Sequence, residues 1–417
     1  MITAVTDPTA TPEMDEPLAS AVPPPQAPAP AAVEGPVFSP WKRRKVPTTT
    51  RSYRCQCGRP VFFRNSACLA CDTPLGYAVQ HARVLPLEPG PQEGLWTAIG
   101  DESGALYRRC SNFESAAGCN WLVHHTPDEP DDFEGLCIAC NLNRLIPDLT
   151  ETSNQVLWRK IEVAKRRLVS QLLALGLPVA SRVNQDPVHG LAFDLLRAPP
   201  GGPRVVTGHV GGIITLDVEE ADDALRERLR ADLREPYRTL LGHFRHEVGH
   251  YYWDRLVQNT SWLAHFRQLF GDERQDYSAA LRQNYEQGPP PNWAQRFVSS
   301  YASTHPWEDW AETWAHYLHM VDTFDTALSF GLDADDVEIE ADPFGPDTLW
   351  QPQDPQATEF LEFLNSWVQL TSVLNELSRS MGQPDFYPFV LTRPVVGKLQ
   401  FIHMLVNEAR TLPTGPV

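Results

Sequence analysis

Cysteine is absent before residue 55 and after residue 140, yet eight cysteines lie between those points of the 417-residue chain. Such confinement excludes a disulfide framework spread through the fold and points to metal ligands or catalytic thiols in a reducing compartment. Long apolar runs are also missing; none approaches the roughly 18 residues of a membrane span. Positive charge is scarce, with 35 Lys plus Arg against 53 Asp plus Glu and a formal net charge of −18. That balance disfavours a nucleic-acid grip built on phosphate neutralisation. The start, MITAVTDPTATPEMDEP, lacks both a basic n-region and an apolar h-region, which reads as a cytoplasmic location. No internal repeat at solenoid periods is visible. What is present suffices for a sizeable core: 42% of residues are hydrophobic and 10% aromatic, over a length that suggests two to three domains.

The chain divides by composition. Residues 1–40 contain the Pro23 to Pro30 run PPPQAPAP and too few large apolar residues to offset the entropy of ordering, so a disordered Pro/Ala-rich tail is expected. Trp41-Lys42-Arg43-Arg44-Lys45 follows and reads as a solvated linker. Residues 41–150 hold all the cysteines, with 12 Lys plus Arg against 12 Asp plus Glu, and lack a long helical period. Short strands and tight turns are expected there. A second domain is expected over 151–417. Apolar spacing predicts a helix from Ser153 to Leu175, stopped by Gly176-Leu177-Pro178. Next comes a strand from Val205 to Asp217, bent at Gly211-Gly212, followed by helices over 221–234, from Pro236 through Tyr251, over 306–324 and over 357–381. The expected fold class is α+β: a small β module carrying the cysteines, then a mostly helical domain with a small sheet.

The cysteines fall as Cys55-x-Cys57, Cys68-x-x-Cys71, Cys110 with Cys119, and Cys137-x-x-Cys140. Eight thiolates suffice for two structural zinc sites of four sulfurs each. Sequential pairing puts Cys55, Cys57, Cys68 and Cys71 on one ion and Cys110, Cys119, Cys137 and Cys140 on the other; cross-bracing is equally compatible with the spacing. An isolated cysteine is usually a small buried hydrophobe, but that reading predicts scatter through the chain. Closed four-thiolate sites do no chemistry, so the module reads as a docking element for a protein partner.

The central signal is His246-Glu247-Val248-Gly249-His250 on the helix predicted after Pro236. One turn apart on a helix, the two histidines can bind one zinc ion while the glutamate between them reaches a water molecule on it. His243 precedes them by one turn and reads as a supporting or structural residue. A third protein ligand is needed. Pro306 opens a helix whose Trp307, Trp310, Ala311, Trp314 and Leu318 form an apolar stripe, read as core, leaving Glu308 and Glu312 near another face. Glu308 is the expected ligand, with Glu312 or Asp309 orienting a ligand histidine.

The segments Cys55-Gln56-Cys57-Gly58-Arg59-Pro60, His243 through Trp253 and His305 through Glu312 resemble the bacterial zinc-binding metallopeptidases that carry an N-terminal zinc ribbon. More distantly, Tyr301, Pro306 and Glu308 in Tyr-x-x-x-x-Pro-x-Glu are similar to the Mlc titration factor peptidases and other gluzincins. That resemblance implies Glu308 as the third zinc ligand and Tyr301 as a transition-state donor; Glu312 stands where thermolysin-like patterns have Asp. The implied activity is peptide-bond hydrolysis of a peptide or protein substrate, with one catalytic and two structural zinc ions and Glu247 as general base. An extended substrate would add to a sheet edge at Ile213 to Asp217. The alternative is a zinc-stabilised interaction protein that binds a partner without turnover.

Overall fold

The computed structural model describes residues 47–126, 135–199, 201–232, 235–339 and 342–411; the expected tail over 1–40 and the basic run Trp41 to Lys45 lie outside them. The cysteine-bearing segment is built of short strands, as expected. A two-stranded antiparallel ribbon, β1 (Tyr53–Arg54) with β2 (Pro60–Val61), precedes an antiparallel meander. The meander comprises β3 (Leu75–Ala78), β4 (Arg83–Pro89), β5 (Leu95–Ala98), β6 (Leu106–Arg109) and β7 (Leu122–His124), paired in that order. Tyr77 and Trp121 from this segment are fully buried, with ring centroids 4.8 Å apart.

β8 (Asn143–Leu145) leaves the meander and joins a different sheet. α1 (Thr152–Ala174) and β9 (Ala192–Leu196) come next, followed by β10 (Gly208–Val210) and β11 (Ile213–Asp217). The sheet order is β10-β11-β9-β8, with β9 parallel to both of its neighbours and β10 antiparallel to β11. Ala192 to Leu195 are all buried, the pattern of a strand covered on both faces. α1 carries Trp158, Ile161, Leu168, Val169 and Leu172 into the core at helical spacing.

The expected single bent strand over 205–217 is a hairpin. Gly211 and Gly212 have φ of +55° and +84°, which closes a two-residue turn that side-chain-bearing residues adopt poorly. β10 therefore folds back on β11. The Ile213 to Asp217 segment is an inner strand, and the edges of this sheet are β10 and β8.

The remaining helices are α2 (Asp223–Asp232), α3 (Leu240–Leu256), α4 (Trp262–Leu269), α5 (Tyr277–Gln287), α6 (Pro306–Ser329), α7 (Ala357–Ser380) and α8 (Arg393–Thr411). α3 starts four residues later than Pro236. The Thr239 side chain accepts from the Gly242 N–H at 3.0 Å and its backbone is extended, so it caps the helix and leaves Tyr237 outside. α6 opens at Pro306, with Nδ1 of His305 accepting from the Trp307 N–H at 3.1 Å. Trp310 and Trp314 are completely buried, the core role their stripe suggested. A continuous core runs from Tyr53 to Ala409 and includes both the cysteine-bearing segment and the helices. Among the described residues no helix is long and apolar enough to cross a membrane.

Candidate active site and metal centres

α3 and α6 approach so closely that a Cβ added at Gly249 would stand 3.0 Å from Ala311 Cα and 3.3 Å from Trp314 Cβ. Trp310 Nε1 donates to the Gly249 carbonyl at 2.7 Å across the same gap. This contact brings the first turn of α6 over the middle of α3. Glu308 Oε2 lies 3.0 Å from His246 Nε2 and 3.7 Å from His250 Nε2. Tetrahedral zinc with bonds of about 2.0–2.1 Å separates its ligand atoms by about 3.4 Å, and these distances bracket that value. His246 Nδ1 is bonded to Glu312 Oε1 at 2.7 Å. A carboxylate accepts only, so in the neutral ring Nδ1 carries the proton and Nε2 turns a lone pair towards Glu308. The buried Glu308 Oε2 accepts no hydrogen bond. Against the effect of burial, Glu308 and Glu312 raise the His246 pKa well above its ordinary range, so a proton can occupy the space between Nε2 and Glu308; two imidazoles and a carboxylate form a donor set that fits a metal ion, which would take that place by displacing the proton.

Hydrogen bonds brace these groups from outside. Tyr277, on α5, donates to Glu308 Oε1 at 2.6 Å, and Ser299 donates to Glu312 Oε2 at 2.6 Å. Burial alone would raise the Glu308 pKa, but the positive charge of His246 beside it and the Tyr277 hydroxyl outweigh it and hold the group at about 2. His250 is pushed down to about 3 by burial, so it is neutral and able to ligate. Glu247 is buried, with Oε2 unpartnered, and burial raises its pKa to about 7. The Tyr301 ring lies 5.9 Å from that of His246, and burial together with Glu308 keeps its hydroxyl protonated.

Two further clusters are purely cysteine. Cys55, Cys57, Cys68 and Cys71 form one and Cys110, Cys119, Cys137 and Cys140 the other, which is the sequential arrangement. Sγ separations are 3.6 Å for Cys55 and Cys71, 3.8 Å for Cys57 and Cys68, and 3.6 Å for Cys119 and Cys137. A disulfide would bring sulfurs to about 2.0 Å, whereas tetrahedral zinc with bonds of about 2.3 Å places them about 3.8 Å apart. Turns at Gly58 and Asp72, with φ of +81° and +55°, shape the first cluster. The Thr73 side chain and N–H pull Cys71 down to about 6, favouring the thiolate. The second cluster is fully buried, and burial raises the Cys137 thiol well above its ordinary range, so a metal there must displace protons.

Residues 154–405 match the family described as putative zinc-binding metallo-peptidase, and residues 52–151 match a zinc-ribbon domain. The chain belongs to this metallopeptidase family. Two uncharacterized proteins, from Mycobacterium bovis and Mycobacterium tuberculosis, are each 43% identical to it over 360 residues, covering 86% of this chain and 96% of theirs. No solved structure matches it.

Within this zinc-ribbon metallopeptidase the structure brings together His246, His250, Glu308, Glu312, Glu247 and Tyr301. Asp309 is not among them. It points from a different side of α6 to Lys398 Nζ at 2.6 Å, both groups being buried, and pairs with neither His246 nor His250. One residue after Glu308, a helical side chain is turned by about 100°, which is why only Glu312, four residues on, shares its face. His243 pairs with Glu220 through Nδ1 and Oε2. Tyr277 and Ser299 escaped sequence reasoning because no spacing ties them to either motif. His209 escaped too: its ring stacks 6.4 Å from that of His250 and it accepts the Gly212 N–H through Nε2.

Proposed function

We propose that this metallopeptidase hydrolyses peptide bonds, with His246, His250 and Glu308 holding a catalytic zinc ion and the two cysteine clusters holding structural ones. The observation carrying this reading is the convergence of His246 Nε2, His250 Nε2 and Glu308 Oε2 beside the buried carboxylate of Glu247. A zinc ion in this donor set would acidify a water molecule and polarise a substrate carbonyl. Glu247 takes the proton released by the water and delivers it to the departing amine, for which a carboxylate raised towards neutrality suits both steps. Tyr301, held protonated, donates to the oxygen of the tetrahedral carbon. Glu312 fixes the His246 ring through Nδ1, while Tyr277 fixes Glu308. The hairpin edge β10, carrying His209 beside His250, is the strand against which an extended peptide would lie.

The test is zinc content per chain together with cleavage of a denatured-protein library. Three ions in the wild type, two in Glu308→Ala and three in Glu247→Gln, with cleavage lost in both variants, is the expected result. Two ions and no turnover in the wild type would instead favour a partner-binding protein.

A further inference from the structure

A half-open cavity of about 200 Å³ lies where α1, the start of α3, the second half of α6, α7 and the loop after α7 meet. Its wall contains none of the residues proposed for peptide hydrolysis. One part is a cluster of guanidinium groups: Arg167 and Arg245 line the cavity with Asp322, and Arg51 reaches the same carboxylate from the ribbon side. Asp322 Oδ1 accepts from Arg51 Nε, Arg51 Nη2 and Arg167 Nη2 at 2.9–3.1 Å, and Oδ2 from Arg167 Nε and Arg245 Nη2 at 2.7 Å. Five N–H groups on one carboxylate fill its acceptor capacity of about four lone-pair sites. Three positive charges thus share one negative charge in a buried place. The next acid, Asp325, is engaged elsewhere by the Thr48 and Thr49 N–H groups.

Apart from the Thr323 hydroxyl, which can donate or accept, the remaining polar groups of the wall offer donors. Arg167 commits Nε and Nη2 to Asp322 and Thr326, leaving Nη1 to face a ligand. His319 Nδ1 sits 2.6 Å from Arg245 Nη1; a guanidinium only donates, so the His319 proton is on Nε2. The Tyr237 hydroxyl accepts from Thr239 Oγ1 at 3.1 Å and keeps its own proton free. Opposite stand the rings of Trp367, Tyr387 and Phe389, with Phe386, 47% exposed, at the rim. The run Asp385-Phe386-Tyr387-Pro388-Phe389, left without a role by the metal centre, supplies most of this aromatic wall. A donor-rich floor with surplus positive charge, beneath a wall of rings, calls for an anion on an apolar body. The volume, below the roughly 300–1,000 Å³ of drug-sized sites, limits that body to one ring or a branched chain.

We infer that this cavity binds a small organic carboxylate with an aromatic or branched apolar body, the carboxylate on Arg167 and the body among Trp367, Tyr387, Phe389 and Phe386. Inorganic phosphate would satisfy the guanidiniums but leave the rings unused. The inference is independent of the peptide-hydrolysis reading.

The test is isothermal titration of the full-length, zinc-loaded protein with 3-phenylpropanoate, its amide 3-phenylpropanamide, and inorganic phosphate. The carboxylate is expected to bind about tenfold or more tighter than either competitor, the margin of a charge-assisted hydrogen bond. Arg167→Gln should remove that margin while leaving amide binding unchanged. Because Arg167 also holds Asp322, Phe386→Ser at the exposed rim provides a second variant that leaves the guanidinium cluster intact; it should weaken carboxylate and amide alike by a few-fold. Equal affinity for acid and amide, phosphate as tight as the acid, no saturable binding of the acid at about 10 mM, or affinity unchanged in both variants would each overturn the assignment.

Discussion

Glu247 is the residue on which the proposed chemistry turns, and its burial gives a pH signature. Its folded pKa is raised to about 7 by desolvation, against the pull of His246 and with the push of Glu308. A general base works ionised, so kcat/KM should fall as pH drops through this value, and the charge of bound zinc should move the limb lower. A pH–rate profile of wild type checks this; an acid limb absent down to pH about 4 would remove Glu247 from the role. Tyr277 offers a separate test because it touches the carboxylate without being a proposed ligand. Tyr277→Phe deletes the 2.6 Å bond to Glu308 and should weaken zinc at that site about 10–100-fold, read by competition with a chelator, with the two cysteine sites unaffected.

At the scale of elements, the site exists because α3 and α6 pack at the distance Gly249 permits. Val248 and Tyr252 are buried to either side, so the α3 backbone cannot retreat to make room for a methyl group. Gly249→Ala should cost about 1–3 kcal/mol through overpacking and displace Glu308 from the histidines. Thermal unfolding and zinc binding measured together would test both; a variant as stable as wild type with full affinity would show that the contact is slack. α5, which delivers Tyr277, has no buried residue among its 11 positions. Its hold on the site includes the hydrogen bond to Glu308 and the edge contacts of Tyr277 with His305 and Trp307.

Across the whole molecule the ribbon and the metallopeptidase region share one core, and Asp322 is where they are tied by charge. Arg51 precedes the first cysteine, Arg167 is on α1 and Arg245 adjoins His246, and all three converge on this carboxylate of α6. The three guanidiniums, outweighing burial, hold Asp322 well below the ordinary carboxylate range. A depressed acid pKa contributes stability that is complete above the unfolded value of about 3.9 and lost as pH falls below it. Asp322→Asn should cost about 3–5 kcal/mol at neutral pH, because the buried Arg51 and Arg245 and the half-buried Arg167 lose their counter-ion. Its unfolding free energy should also depend less on pH between about 4 and 2 than that of wild type. Denaturant titration across pH checks both; a loss below about 1 kcal/mol would mean that water screens the cluster.

The sequence by itself pointed to the three candidate metal sites, because most of their proposed ligands come in short local spacings. His246 and His250 are fixed relative to each other by one helical turn, and the paired cysteines by tight turns. It also determined that α6 would be buried through its tryptophans. Relations between distant segments were decided by tertiary structure. Glu312 rather than Asp309 reaches His246, Tyr277 arrives from an exposed helix with no motif, and β10 takes the sheet edge expected at Ile213 to Asp217. The convergence of Arg51, Arg167 and Arg245 on Asp322 was equally hidden. These depend on how helices approach and which way a hairpin folds, and both are set by packing of side chains far apart in the chain, which no local period records.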